Sequence, residues 1–136
     1  MKKISQKKRQ QIERAKQART DFQYDYPACM MCGKQSTDTH EIARGAYRNQ
    51  AYGSRCAWLR LCRNCHSLVG DAGQWPIARQ LALKKVCDPG SYDAQTVNQL
   101  RGRHMFAITE AEVDAYIDNL PATAIWKFPH NKLRRA

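Results

Sequence analysis

Long apolar runs are missing from this chain. No stretch of its 136 residues approaches the roughly 18 apolar residues that a membrane-crossing helix needs, and the first residues carry no apolar segment like that of a secretory leader. Those absences lead to the expectation of a cytoplasmic protein with no membrane partner. Acidic residues are also scarce where basic ones gather. Residues 1–20 hold eight Lys or Arg against one Glu, and residues 127–136 hold four basic residues and no acid. These two ends account for all of the formal charge of +11, which leaves residues 21–126 balanced. Internal repeats are absent, and only the basic ends approach low complexity.

Two cationic arms on a neutral body attract polyanions and release counterions from nucleic-acid phosphates. An anionic membrane is a poorer target, because Ile4 and Ile12 are the only sizeable apolar anchors in residues 1–20. Nucleic acid is therefore the expected partner, with Lys7, Lys8 and Arg9 among the phosphate contacts.

The length fits one domain with tails, and its organisation reads as four segments. Residues 1–23 form a basic helix or arm, since residues 3–19 lack Gly and Pro and are rich in helix formers. Residues 24–75 hold the candidate chemistry, in loops, short strands and a helix beginning near Asn64. Residues 76–126 read as helical support. Pro76 suits the first turn of a helix through Ile77, Leu81 and Leu83; Asp93 can cap a second, carrying Val97 and Leu100. Thr109 and Glu112 have capping-box spacing ahead of Val113, Tyr116, Ile117 and Leu120. Residues 127–136 are a basic tail.

Six cysteines in a reducing compartment point to metal rather than to disulfides. Cys29-Met-Met-Cys32 and Cys62-Arg-Asn-Cys65 are two pairs whose spacing lets both thiolates of each face one ion. One such pair alone is weak evidence, because redox motifs share it. Two pairs supply the four soft ligands of a structural zinc. Cys56 and Cys87 are isolated and read as small apolar residues. His66 directly follows Cys65, and four thiolates already saturate a tetrahedral ion. Near a helix start, successive side chains diverge by about 100°, so His66 is expected to face away from the zinc. The set Cys29, Cys32, Cys62 and His66 is an alternative, but it leaves Cys65 idle.

A second constellation, Thr37-Asp38-Thr39-His40-Glu41-Ile42, lies just after the first pair. The zinc draws this segment toward His66. Alternatively, His40 is an exposed strand residue and Glu41 an ion-pair partner for Arg44 or Arg48.

In the order CMMC, THEIARGAYR, WLRLCRNCH, residues 29–70 resemble the zinc-bearing branch of the HNH (ββα-metal, His-Me finger) endonucleases. The pattern HEI…GxxR…W…LCxxCH is similar to HNH proteins of phages and prophages, which would make the compartment the host cytoplasm. The resemblance implies an α+β fold: a small ββα-metal finger stapled by a four-cysteine zinc site, with flanking helices. It implies hydrolysis of DNA phosphodiesters at one catalytic divalent ion, Mg²⁺, Mn²⁺ or another transition metal, with His66 as a ligand. On the first strand the family carries Asp-His or His-His before Ile, a ligand followed by a base. Aligned on Ile42, His40 is the ligand and Glu41 the base. Shifted by one, His40 is the base, and Thr39 or nearby Asp38 must ligate. Both His40 and Glu41 are expected at the site, with roles open, and Arg44 and Arg48 are candidates to hold the phosphate. The family's middle Asn has Ala57 in its usual place, and Asn64 is a weak substitute. The competing reading is a non-catalytic zinc module that only binds nucleic acid.

Overall fold

In the computed structural model, which describes residues 5–43, 51–71, 75–102 and 106–121, helix α1 spans Gln6–Asp25. Its Lys, Gln, Arg and Ala favour the helix, and Ser5 caps it by accepting from the Lys8 N–H at 3.2 Å. It ends at Asp25, close to the expected boundary at residue 23, and Phe22 ties its last turns to the core. The Phe22 ring lies 5.1 Å from Tyr26 and 5.5 Å from Trp58. Burying a side chain of that size contributes roughly 1.5–3 kcal/mol. Phe22 is the one buried residue of α1, so Lys7, Lys8 and Arg9 stand in solvent.

Strands β1 (Asp38–Glu41) and β2 (Trp58–Leu61) pair antiparallel, with Asp38 opposite Leu61 and Glu41 opposite Trp58. β2 is buried throughout its four residues, as expected of the sequence WLRL under a helix. Helix α2 (Arg63–His66) follows at once and runs into a π-helical turn, Ser67–Asp71. Three support helices complete the chain: α3 (Ile77–Cys87), α4 (Ala94–Arg101) and α5 (Glu110–Ile117). The expected caps Asp93 and Thr109 are present, accepting from Thr96 N–H and Glu112 N–H, while Pro76, expected in the first turn of α3, stands just ahead of it. Among the described residues the fold is α+β, with five helices and one two-stranded antiparallel sheet. None of those helices is long and apolar enough to cross a membrane.

One apolar cluster joins the parts. It takes Phe22 from α1, Trp58, Leu59 and Leu61 from β2, Leu81 and Leu83 from α3, Val97 from α4 and Val113 from α5. Leu120, expected on the last helix, lies beyond it but is still buried. Inside this core sits an ion pair. Lys84 is fully buried, with Nζ 2.8 Å from Asp88 Oδ2 and donating to the Arg55 carbonyl at 2.9 Å. Tyr26 donates its hydroxyl to the other Asp88 oxygen at 2.8 Å. Burial pulls the Lys84 amine below its ordinary range, against the pull of Asp88. The network links α3 to the end of α1 and to the turn before β2. The tail 127–136, Arg44 and Arg48 lie outside the described residues.

Candidate functional site

The first cysteine pair sits in a tight turn. Gly33, at φ 77°, takes a left-handed conformation that a side chain would strain, and its N–H reaches the Cys29 carbonyl at 2.8 Å. Met30 N–H donates to the Arg60 carbonyl and Thr37 N–H to the Leu61 carbonyl, so the turn is bonded along β2. The second pair opens α2, with Cys62 as its N-cap. All four sulfurs, of Cys29, Cys32, Cys62 and Cys65, lie within 4.8 Å of one another, and those of Cys32 and Cys62 are 3.8 Å apart. Sulfurs bonded at about 2.3 Å to one tetrahedral ion are separated by about 3.8 Å. The four cysteines thus form a site able to hold a structural metal such as zinc.

Their chemistry argues the same way. A hydrogen bond from the Cys65 thiol holds Cys29 down to about 5, while donating that bond, together with burial, drives Cys65 far up. Burial also raises Cys32. Protons alone leave these sulfurs in competition for one negative charge. A dication at their centre removes that competition.

His66 turns away from the sulfurs, as the helical rotation requires. Its Nδ1 lies 2.8 Å from Asp38 Oδ2, on the strand opposite. Its Nε2 is buried and, among the described residues, has no hydrogen-bond partner. The ring of His40 packs edge-on against it, centroids 5.0 Å apart at 67°. His40 Nε2 lies 2.7 Å from Gln80 Oε1, on α3. Burial tends to raise the Asp38 carboxyl, but hydrogen bonds from His66 and Thr37, and the Arg63 charge, outweigh it and hold the group below the ordinary carboxylate range. The Arg63 Nε lies 3.3 Å from the same oxygen.

Gly70 forms the floor beneath the two rings. A Cβ there would come within 2.6 Å of His40 Cε1, 2.9 Å of His40 Nδ1 and 3.5 Å of His66 Cδ2. The π turn carries this glycine into the gap, and such turns often occur at functional sites. A cleft of about 320 Å³ opens beside His40, bordered by Glu41, Val69, Gly70, Trp75, Gln80 and Arg101.

The expected pair His40 and Glu41 divides. Residues 38 and 40 share one face of β1, and 39 and 41 the other, because strand side chains alternate. Asp38 and His40 therefore meet His66. The Glu41 side chain goes to the opposite face, its Oε1 3.3 Å from Arg19 Nη1 of α1, although the residue borders the cleft. Arg19 in turn lies over the rings of Tyr52 and Trp58. Among the described residues the partner of Glu41 is thus Arg19; Arg44 and Arg48, the partners the sequence suggested, lie outside them. Thr39 also faces away and accepts from Arg60 at 2.9 Å. Ala57 is buried in the core, and Asn64 is exposed on α2.

Of the expected residues, the fold brings His40 and His66 together, gathers the four cysteines, and leaves Lys7, Lys8 and Arg9 apart on an exposed helix. Asp38 is the less favoured alternative of the sequence alignment, and strict period-two reading of DTHE puts it beside His40. The sequence reading does not single out Gln80 or Gly70. Comparison with protein-family models, curated proteins and solved structures finds no match to this chain.

Proposed function

We propose that this chain is a metal-dependent endonuclease of the HNH, ββα-metal type, hydrolysing phosphodiester bonds in DNA, with zinc in the four-cysteine site. The observation that carries this reading is the convergence of Asp38, His66 and His40 beside Gly70, on a strand–strand–helix unit. Asp38 and His66 are the candidate ligands of the catalytic ion. Their donor atoms are 2.8 Å apart, and adjacent ligands of an octahedral ion with bonds of about 2.1 Å lie about 3.0 Å apart. One imidazole gives a single ion only one nitrogen, so the buried Nε2 of His66 is the alternative ligand atom to Nδ1. A divalent ion there would supply Lewis-acid stabilisation of the scissile phosphate.

In this reading His40 is the general base that takes a proton from the attacking water. That is the shifted alignment, with Asp38 as ligand and Glu41 outside the chemistry. Lys7, Lys8 and Arg9 on exposed α1 supply affinity that is independent of sequence and falls steeply with salt. Buried Ala57 favours a second reading, a zinc module that binds nucleic acid without cutting it, since it offers no polar group where the family carries Asn.

The deciding experiment incubates the purified chain with plasmid, linear duplex and single-stranded DNA, with Mg²⁺ or Mn²⁺. Nicking or cleavage is expected from the wild type. His66→Ala should abolish it while retaining zinc and thermal stability. Salt-sensitive DNA binding without cleavage under any of these conditions would favour the binding module.

A further inference from the structure

We infer that Gln80 is a positioning residue that locks His40 in the tautomer protonated at Nε2, so that Nδ1 is the nitrogen presented to the reacting water. The effect on rate rests on the nuclease reading; the tautomer assignment does not. Gln80 is 5 % exposed, on the inward side of α3, so its amide must be satisfied by protein groups. Its Nε2 donates to the Trp75 carbonyl at 3.0 Å. A carbonyl oxygen only accepts, so the NH2 must face Trp75 and Oε1 must face His40. Oε1 likewise only accepts. The short 2.7 Å contact with His40 Nε2 therefore requires a proton on that nitrogen.

A neutral imidazole carries one proton, so Nδ1 holds the lone pair. That nitrogen lies on the ring edge turned toward Gly70. Trp75, just ahead of α3, thus orients Gln80, and Gln80 orients the ring. Without the amide, both tautomers become accessible and the ring can rotate out of register with Asp38 and His66.

The test uses the full-length, zinc-loaded protein with ¹⁵N-labelled imidazole. Two-bond ¹H–¹⁵N spectra above the titration range of the ring report which nitrogen carries the proton. The wild type should show His40 with a pyrrole-type Nε2 and a pyridine-type Nδ1. Gln80→Leu should give a mixed or reversed pattern and slow cleavage about 10–100-fold, with little change in KM. Gln80→Glu keeps an acceptor toward Nε2 but loses the donor to the Trp75 carbonyl, so it should keep the Nε2-protonated pattern while recovering only part of the rate lost in Gln80→Leu. A proton on Nδ1 in the wild type would overturn the assignment. So would a Leu variant that loses activity with its tautomer unchanged, because the role would then be packing alone. The wild-type spectrum decides the assignment even where the Leu variant fails to fold. Absence of cleavage by the wild type would count against the nuclease reading, and the spectra would still settle what Gln80 does.

Discussion

Cys65 and His66 are neighbours in the chain but belong to two differently built regions. The sulfur region is closed. Four like ligands face one point, two of them buried, and together they could hold one dication. The imidazole region is open. Its groups are unlike, each is held by a different element, and one buried ring nitrogen has no partner among the described residues. In the proposed reading the sulfurs are the scaffold and the imidazoles the working site. One helical step of about 100° separates the two.

The largest expected effect comes from emptying the sulfur side. The turn at 29–33 and the start of α2, directly after β2, meet there. Structural zinc in zinc-finger peptides contributes roughly 10–16 kcal/mol, as much as the whole stability of an ordinary domain, about 5–15 kcal/mol. Treatment with a strong chelator, or Cys65→Ala, should abolish cooperative melting followed by circular dichroism. An unchanged melting curve after verified metal loss would show that the cysteines do not hold the fold, and the contrast with the imidazole side would collapse.

A smaller effect, confined to the other side, is expected from Gly70→Ala. Gly70 does not have a positive φ, so its value here is space, not backbone freedom. The new methyl would meet His40 Cε1 at 2.6 Å, and the ring must move. A displacement near 1 Å at a reacting group costs on the order of 100-fold in rate. Cleavage should fall by about that factor while the zinc content stays whole. Full activity would mean that His40 does not need its present position and is not the base.

The contrast also explains what the sequence made legible. Two CxxC pairs announce a tetrahedral site because ligand type and spacing are local properties, and the caps Asp93 and Thr109 are local too. The histidine site depends on which face each residue takes. Alternation along DTHE determines that, but alignment on Ile42 favours the neighbour, Glu41. The contribution of α3 is harder to read. Ile77, Gln80, Leu81 and Lys84 follow the i, i+3, i+4, i+7 stripe of an inward helix face, and two of the four are polar. Polar residues on such a stripe must find buried partners. Gln80 meets His40 and Lys84 meets Asp88, pairings that only the tertiary fold supplies.

The smallest effect should come from Glu41, which alignment on Ile42 puts in the place of the base. Glu41 is held by Arg19, which also stacks over Tyr52 and Trp58, so its carboxylate secures α1 against the outer face of β1. Glu41→Gln keeps the shape and an acceptor for Arg19 and removes only the charge. A pair of this kind, partly open to solvent, contributes on the order of 1 kcal/mol or less. The melting temperature should shift by no more than a few degrees and the cleavage rate by less than about threefold. If Glu41 were the general base, the same substitution would cost the roughly 100- to 10,000-fold that proton transfer contributes. The rate measured for this one variant therefore separates the two faces of β1. A large loss with an intact melt would return the base to Glu41 and leave His40 as a ligand.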